Sequence, residues 1–414
     1  MKPHTAWNYD RYLPLFFDGG DIYICRLAPG AGTLTFETKE PPMTAYEVFC
    51  RVRGTEEWTF AGRMTGTEYT LSGLADHTDY ELYVSEEEKK SRIRLFRTGE
   101  SFGTVINYLH PDDTVYSFSG RYLCSPSIVR HPNGSLLASM DLFAGNYPQN
   151  LTLIFRSDDD GATWHHVTEL FPCFWGKMFI HRGELYMFGT TTEYGDMLIG
   201  RSSDGGKTWS EPVTLFRGSN GKNGEVGLHR NPQVVLTYGG RIWNTAEWGS
   251  WGRGYHAPMV VSAPEDADLL APESWTFSEP VLYDKTWKGL PEGDSTGNIE
   301  GTLVVFPDGN LYNVMRYDME MTRPNYGMAL VYRVNTDYPE QPLSFVRPMD
   351  FPANHSKFEI FYDTVSGYYV TVATRIKDAE HAFARNLLSL MVSRDMVTWR
   401  TALDIYDKLD CDPA

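Results

Sequence analysis

The stretch Ser157-Asp158-Asp159-Asp160-Gly161-Ala162-Thr163-Trp164 lies between two apolar segments, and it returns 45 residues later as Ser202-Ser203-Asp204-Gly205-Gly206-Lys207-Thr208-Trp209. Both copies fit the pattern Ser-x-Asp-x-Gly-x-Thr-Trp. This pattern predicts a hairpin turn in which the Asp accepts backbone N–H bonds, the Gly takes a positive φ and the Trp packs under the hairpin. A decayed third copy, Ser393–Trp399, completes a set that indicates a repeat architecture.

These repeats resemble the Asp boxes, also called BNR repeats, of the sialidase-like β-propellers. From Tyr108 onward, apolar strands turn at dipeptides that contain glycine and return as a second apolar strand, which predicts β-hairpins at long, regular spacing. Five such turns occur: Asn133-Gly134, Arg182-Gly183, Gly239-Gly240, Asp308-Gly309 and Ser366-Gly367. Each unit predicts one four-stranded blade that must stack on its neighbours.

The fold class that follows is all-β, with an N-terminal β-sandwich (residues 1–100) followed by a five- or six-bladed sialidase-like β-propeller (residues 101–414). Three alternatives stay open for the ring. It closes with five blades, Gly103–Tyr122 supplies strands for a sixth, or the chain lacks part of a last blade. In the third unit Ser262–Trp275 resembles a box swollen by an insertion (Pro264–Pro272), and the fourth unit shows no box.

The first hundred residues have a different sequence pattern from the rest of the chain. Seven short runs of alternating apolar and polar residues are separated by Gly, Pro and Asp clusters, which predicts a small antiparallel sandwich. The segment Tyr69–Val84 resembles the E–F corner of a fibronectin type III module. That resemblance implies that Leu74 fills the core and that Tyr80 is the corner tyrosine. The expected role of the module is that of a spacer, without chemistry of its own.

Composition narrows the classes of partner. The formal charge of −17 over 414 residues argues against nucleic acid and anionic membrane surfaces. No apolar run approaches the roughly 20 residues of a membrane-spanning helix. The first ten residues have no apolar core of a signal peptide, and the five cysteines are scattered without a CxxC pair. The expectation is therefore a cytoplasmic protein, or a secreted one whose signal has been removed, with no metal and no cofactor.

Blade geometry predicts where chemistry would lie. The start of the first strand and the end of the second strand of each blade meet at one rim. Charged and polar residues fall at these positions, which suits an anionic or polyhydroxylated ligand. They are the candidate catalytic residues Asp141, His229, Glu247 and Glu300, and the candidate substrate-binding residues Arg230, Arg316, Lys357 and Arg375. Aromatic residues predicted to contact sugars at this rim are Trp175, Tyr194 and Trp251, the last within a Gly-rich run predicted as a rim loop, Glu247–His256.

The segment Glu300–Arg316 resembles the sialidase hairpin in which a Glu opens one strand and an Arg closes the next. The resemblance implies that Glu300 polarises a tyrosine nucleophile and that Arg316 grips a substrate carboxylate. Two departures argue against standard sialidase activity. Cys124 stands where the family's first Arg would be, and the loop Phe143–Asn150 carries no acid in place of the general acid.

The leading hypothesis is a glycoside hydrolase acting on an acidic or complex glycan, with two carboxyl groups from Asp141, Glu247 and Glu300 flanking the bond. One alternative is a polysaccharide lyase acting on a uronate-containing glycan through His, Tyr and Arg. Another is a propeller that binds glycans without cleaving them. The predicted partner in each case is an oligo- or polysaccharide, and the sequence does not fix an oligomeric state.

Overall fold

The computed structural model describes Trp7 and residues 21–219, 224–291, 297–318, 327–354, 356–378, 380–381 and 384–408. Cys411, one of the five cysteines, lies outside these residues. Regular structure in the described part is almost entirely β-strand, with two short 3-10 turns at Trp251–Arg253 and Pro272–Ser274. None of its helices is long and apolar enough to span a membrane. The all-β fold class is therefore confirmed.

The N-terminal strands form two facing sheets, ordered β1-β2-β5 and β4-β3-β6, the second extended by β7 and β8 on β6. Alternate residues of β3 and β6 are buried, which is the pattern of a sheet with one face in a core. The strands are β1 (Ile24–Gly30), β2 (Thr33–Thr38), β3 (Tyr46–Val52), β4 (Thr59–Met64), β5 (Glu68–Ser72), β6 (Asp79–Glu86), β7 (Lys89–Lys90) and β8 (Arg94–Arg97). All seven predicted runs correspond to strands here.

The next two sheets are antiparallel and four-stranded, ordered β12-β11-β10-β9 and β13-β14-β15-β16. Their strands are β9 (Tyr122–Arg130), β10 (Leu136–Phe143), β11 (Thr152–Ser157), β12 (His165–Leu170), β13 (Phe174–His181), β14 (Glu184–Thr190), β15 (Met197–Ser202) and β16 (Val213–Phe216). We call these sheets blade 1 and blade 2.

Blades 3 and 4 are joined into one nine-stranded sheet by a single parallel bridge between His256 and Gly297. Blade 3 comprises β17 (Gly227–His229), β18 (Leu236–Tyr238), β19 (Arg241–Ser250), β20 (Tyr255–Pro264) and β21 (Thr276–Phe277). Blade 4 comprises β22 (Gly297–Val305), β23 (Leu311–Asp318), β24 (Met328–Arg333) and β25 (Ser344–Asp350). Blade 5 comprises β26 (Ile360–Asp363), β27 (Tyr368–Thr374), β28 (Leu387–Ser393) and β29 (Trp399–Asp407).

The five predicted turns join the first two long strands of each blade, and their glycines have the positive φ that tight hairpins require. In the first, Gly134 has φ 96°, and in the second both Arg182 and Gly183 are left-handed. The hairpin prediction is therefore confirmed in register as well as in number for the described residues.

The chain divides into two compact units. Unit 1 comprises Met1–Thr192 and Gly200–Pro212, and unit 2 comprises Glu193–Ile199 and Val213–Ala414. In unit 1, one apolar core lies between the two N-terminal sheets and another joins blade 1 to the segment around Tyr116. In unit 2, continuous apolar clusters run through blades 3 and 4 and from blade 4 to blade 5.

The two well-formed repeats have the hydrogen bonds that their sequence predicts. In the second copy, Asp204 accepts from the backbone N–H and the hydroxyl of Thr208 at 2.9 and 2.6 Å. The indole of Trp209 donates to the carbonyl of Gly206 at 2.9 Å. The first copy repeats these bonds through Asp159 and Trp164.

The decayed repeat Ser393–Trp399 is one residue shorter than the other two copies, and its indole N–H has no hydrogen-bond partner among the described residues. Met396 takes the left-handed position with φ 60° in place of a glycine. Its carboxylate, Asp395, still accepts the backbone N–H of Val397 and of Thr398. The turn therefore survives the loss of its glycine, because the side-chain bonds are retained.

We expect Asp204→Ala to destabilise the protein by about 2 kcal/mol, since a hydrogen bond to a charged group contributes about 1.5–3 kcal/mol. The shift of the urea unfolding midpoint measures this loss. Ser203→Ala, at an exposed neighbouring position, is the matched control and is expected to leave the midpoint unchanged. Equal unfolding midpoints for both variants would contradict a stabilising role of the Asp204 hydrogen bonds.

Candidate active site

Glu300 lies at a β-bulge in the first strand of blade 4. The pairing of β22 with β23 shifts between Ile299 and Gly301, and Glu300 itself has φ 56°. Left-handed backbone is unusual for a non-glycine residue and costs energy, so the surrounding structure must hold it in place. Arg316 on β23 donates from Nη1 to Glu300 Oε2 at 2.6 Å, and each side chain is 12% exposed. The predicted Glu–Arg pair is therefore formed.

The Glu300 carboxylate is held in its charged form. Burial on its own raises the pKa of this carboxyl, but the positive charges of Arg316 and Lys357 outweigh burial, with further lowering from His229 and from the Arg316 hydrogen bond. Together they lower the pKa from 4.5 to about 2. Glu300 is thus suited to stabilise positive charge and unsuited to donate a proton near neutral pH.

Two further cations lie within electrostatic reach of Glu300. Lys357 lowers the pKa of Glu300, and Arg385 interacts with both Glu300 and Arg316. Arg385 keeps much of its surface exposed, yet partial burial and the charge of Arg316 lower its pKa, while Glu300 opposes this shift. Among the described residues, neither Lys357 nor Arg385 lies within ion-pair distance of a carboxylate. Positive charge therefore exceeds negative charge around Glu300.

A histidine–carboxylate pair lies one blade earlier. His229 on β17 is the cross-strand partner of Glu247 on β19. The His229 Nδ1 and Glu247 Oε2 atoms are 2.8 Å apart, and the side chains are 4% and 0% exposed. The remaining Glu247 oxygen, Oε1, accepts the backbone N–H of Gly301 at 3.2 Å. Glu247 thus links the histidine to the strand that carries Glu300.

A second histidine completes this cluster. The His256 and His229 ring centroids are 4.7 Å apart, and the Tyr194 hydroxyl lies 3.0 Å from His256 Nε2. Burial, followed by electrostatic interactions with His229 and Arg316, lowers the pKa of His256 to about 2, so this imidazole is neutral at ordinary pH. Burial and the negative charge of Glu193 raise the pKa of Tyr194 well above its usual value. The Tyr194 phenol therefore stays protonated and can donate a hydrogen bond to His256.

Trp251 forms the exposed wall of the same cluster. Its indole is 48% exposed and packs edge-on against His256, with ring centroids 4.7 Å apart. Its backbone N–H donates to the Tyr194 hydroxyl at 3.0 Å. The surface beside the buried histidines is therefore an aromatic ring that is open to solvent.

The Gly-rich run around Trp251 is more regular than predicted. The sequence predicted a rim loop over Glu247–His256, but β19 continues to Ser250 and β20 begins at Tyr255, leaving only a three-residue 3-10 turn. Gly249 permits this, because a Cβ there would lie 2.1 Å from the carbonyl oxygen of Tyr255. The glycines allow close approach of two strands and do not interrupt them.

Several predicted contact residues are placed differently from expectation. Arg230 is fully buried and donates to Asn244 Oδ1 at 2.9 Å, so it braces blade 3 from within. Tyr194 is 2% exposed and acts through its hydroxyl, so it offers no face to a sugar. Arg375 pairs with Asp404 through two hydrogen bonds of 3.0 and 2.7 Å. These three residues therefore hold the blades and the cluster together.

In unit 1, Asp141 and Trp175 are buried as well. Asp141 is fully buried, accepts the Thr152 hydroxyl at 2.6 Å and accepts the backbone N–H of Gly176. Trp175 is 6% exposed and packs on Phe174, with ring centroids 4.6 Å apart. Asp141 thus has the contacts of a structural acceptor, as Glu247 does in unit 2. Glu300 is the one member of the predicted acid trio whose side chain is partly exposed.

Sequence reasoning missed His256 and Arg385. His256 is the second residue of β20 and pairs with Gly249 on β19. In the same hairpin register Glu247 pairs with Pro258, so His256 lies two residues from the partner of Glu247. Arg385 lies in the connection between β27 and β28, where no strand period fixes the direction of a side chain. The strand register could therefore have predicted the position of His256, but not that of Arg385.

One side-chain cluster among the described residues has the composition of a metal site. Glu37, Glu68 and His165 place their ligand atoms within 4.8 Å of one another. However, Arg26 Nη1 lies 3.0 Å from the same Glu37 oxygen that His165 approaches. An ion pair already neutralises this carboxylate, so the cluster is better described as an ionic contact between the N-terminal sheets and blade 1.

Comparison with known proteins identifies the family. The model of the BNR repeat-like domain matches residues 174–411, which is more than half of the chain. This chain belongs to the BNR repeat-like family. No curated protein matches the sequence of this BNR protein.

Three of the solved structures that resemble this BNR protein are named as glycan-degrading enzymes. An alpha-L-arabinanase of Penicillium chrysogenum, complexed with arabinobiose, is 16% identical, with 67% of this chain and 80% of that chain covered and a TM-score of 0.47. An alpha-L-arabinofuranosidase of Lactobacillus brevis is 15% identical over 82% and 97%, with a TM-score of 0.41. A PL25 ulvan lyase is 12% identical over 94% and 87%, with a TM-score of 0.44. At these values the likenesses carry no argument about the function of this chain.

The electrostatics of Glu300 predict a pH-dependent contribution to stability. Because its folded-state pKa is depressed, its stabilisation is present above the usual pKa of 4.5 and is lost as pH falls through about 2. We expect the free energy of unfolding of Glu300→Gln to be about 3 kcal/mol lower than that of the wild type at pH 7. This difference is expected to shrink below pH 4.5. Urea unfolding at pH 7 and pH 3 measures both values.

The control for this comparison is Glu273→Gln, since Glu273 is an exposed carboxylate of the same unit. The free energy of unfolding of Glu273→Gln is expected to differ little from that of the wild type at both pH values. A Glu300→Gln gap that is equal at pH 7 and pH 3 would show that Glu300 is not held in an ion pair.

Proposed function

We propose that this protein is a carbohydrate-active enzyme that hydrolyses a glycosidic bond next to an anionic sugar. The observation that carries the proposal is the excess of positive charge at the Glu300 site. Arg316, Lys357 and Arg385 lie around one carboxylate, and two of these cations have no carboxylate within ion-pair distance among the described residues.

An anionic substrate fits this charge balance. Lys357 is half-buried, and a cation withdrawn from water is costly unless an opposite charge compensates it. The protein as a whole carries a formal charge of −17, so a local excess of cations runs against its general composition. A carboxylate or sulfate on a sugar would supply the compensating charge and would bind through charge-assisted hydrogen bonds.

The hydrolytic chemistry would divide between Glu300 and His229. Glycoside hydrolysis passes through a transition state with positive charge on the sugar ring. Glu300 stays ionised and is suited to stabilise this charge. His229, oriented by its bond to Glu247, would transfer the proton to or from water or the leaving oxygen. Trp251 would cover an apolar sugar face beside them.

A second candidate reaction is elimination, as in a polysaccharide lyase on a uronate. The observation that favours it is the Tyr194–His256 hydrogen bond of 3.0 Å, beside His229. His229 would remove the proton next to the uronate carboxylate, and Tyr194 would protonate the leaving oxygen. The cations around Glu300 would neutralise the uronate carboxylate, which makes the neighbouring C–H proton of the sugar more acidic.

We also propose that residues 1–100 are a fibronectin type III-like module and that the repeats at Ser157–Trp164 and Ser202–Trp209 are Asp boxes. The Tyr80 hydroxyl accepts the backbone N–H of Ala75 at 2.8 Å, which is the bond of a tyrosine corner. Leu74 packs against the core of this module. The side-chain bonds of the two repeats support the second part of the proposal.

Product analysis tests the reaction. We expect the wild type to release reducing ends without ultraviolet-absorbing unsaturated ends from at least one acidic glycan in a panel of polygalacturonate, alginate, chondroitin sulfate, ulvan and sialosides. Unsaturated ends would establish elimination instead. Binding to a panel member without cleavage of any of them would refute the enzyme proposal and leave a glycan-binding protein.

Single substitutions of the two cations test the anionic specificity. Lys357→Met and Arg385→Met are each expected to raise the KM for the cleaved acidic glycan by about tenfold or more, because each removes a charge-assisted contact of about 1.5–3 kcal/mol. Arg375→Met removes a cation that already pairs with Asp404 and serves as the matched control. An equal KM for all three variants and the wild type would contradict an anion site at these residues.

A further inference from the structure

Glu247 contacts both His229 and the backbone directly after Glu300. It is fully buried. One oxygen lies 2.8 Å from His229 Nδ1, which is the length of a charge-assisted N–H···O bond, and the other accepts the Gly301 N–H at 3.2 Å. Gly301 directly follows Glu300 in the chain.

The bond to Gly301 lies at the strained point of the strand. Glu300 has φ 56° at the register shift between Ile299 and Gly301. A Cβ on Gly301 would lie 2.1 Å from Asn313 Oδ1, so only glycine fits after the bulge. By accepting this N–H, Glu247 satisfies a buried donor that the bulge removes from the ladder.

The same contact occurs a second time in the chain, in unit 1. Asp141 lies late in β10 as Glu247 lies late in β19, and it accepts the N–H of Gly176 at 3.3–3.4 Å. Gly176 follows Trp175, which has φ 52° at a register shift between Phe174 and Lys177. We call this contact the bulge clamp: a buried carboxylate of one blade bound to the N–H after the left-handed residue that opens the next blade.

The two clamps differ in the second oxygen of the carboxylate. Asp141 accepts the hydroxyl of Thr152 at 2.6 Å, whereas Glu247 lies against His229. The carboxylate of one copy contacts Thr152 and that of the other contacts His229, so the feature that both copies share is the bond to the N–H after the bulge.

We propose that Glu247 is a positioning residue that fixes Glu300 through the bulge clamp and fixes the tautomer of His229. An ionised carboxylate only accepts hydrogen bonds, so His229 must carry its proton on Nδ1 and leave Nε2 as the basic nitrogen. This inference rests on the proposed function, in which His229 transfers the proton. It moves Glu247 and Asp141 from the set of candidate catalytic acids to the scaffold.

Nitrogen NMR of the imidazole side chains in the full chain tests the tautomer without any substrate. The His229 signals are identified among the 11 histidines as those missing from His229→Asn. We expect a protonated Nδ1 and a bare Nε2 in the wild type. In Glu247→Gln the amide group can donate to Nδ1, so the proton is expected to move to Nε2.

Asp141→Asn is the matched control, because it alters the clamp that has no histidine, and its His229 signals are expected to match the wild type. If Glu247→Gln does not fold, the wild-type spectrum alone decides. A wild-type His229 protonated on Nε2 would overturn the proposal, as would an unchanged tautomer in a folded Glu247→Gln.

Kinetics on the cleaved glycan provide the second measurement. We expect Glu247→Gln to lower kcat by about 10²–10⁴-fold with little change in KM, since it disables general acid–base transfer. The Gln side-chain oxygen can still accept the Gly301 N–H, so Glu247→Gln alters only the contact to His229. The double variant with His229→Ala is therefore expected to be no slower than His229→Ala alone. Multiplied losses would overturn the proposal. If no glycan is cleaved, the proposed function fails, while the NMR result still decides the role of Glu247.

Discussion

The site depends on a hydrogen bond from a backbone N–H to a buried carboxylate of the preceding blade. A four-stranded sheet has two faces and cannot bury both alone, so each blade must pack on a neighbour. At the start of blades 2 and 4 the first strand bulges, and a left-handed residue leaves the ladder. The carboxylate of Asp141 or Glu247 satisfies the N–H that follows. Without it, a buried donor would remain unpaired at a cost of about 1–3 kcal/mol.

The chemistry of the site follows from this constraint in blades 3 and 4. The bulge places Glu300 against Arg316, and the cations nearby keep its carboxyl ionised. The carboxylate that holds the bulge also holds His229. A permanently charged acid and a histidine of defined tautomer are therefore fixed by one buried residue. Proton transfer and charge stabilisation are thereby assigned to two different side chains, His229 and Glu300.

Much of the fold could be predicted from the sequence, because its signals are local. Each glycine turn fixes a hairpin register, and the register makes His229 the partner of Glu247 and brings Glu300 beside Arg316. Burial could not be predicted in the same way. Asp141, Glu247 and Arg230 occupy the expected strand positions but are fully buried, and residue type alone does not tell a rim position from one just beneath it. Arg385 comes from a connection without a period, so only the folded chain brings it to Glu300.

In our proposal, the cations around Glu300 bind the anionic group of a sugar. A crystal structure of the protein soaked with galacturonic acid, and separately with N-acetylneuraminic acid, would show whether they do. We expect electron density for one of these sugars with its carboxylate within hydrogen-bond distance of Lys357 Nζ or the Arg385 guanidinium, and with its ring beside Trp251. A carboxylate bound elsewhere, with solvent alone at Lys357 and Arg385, would contradict it.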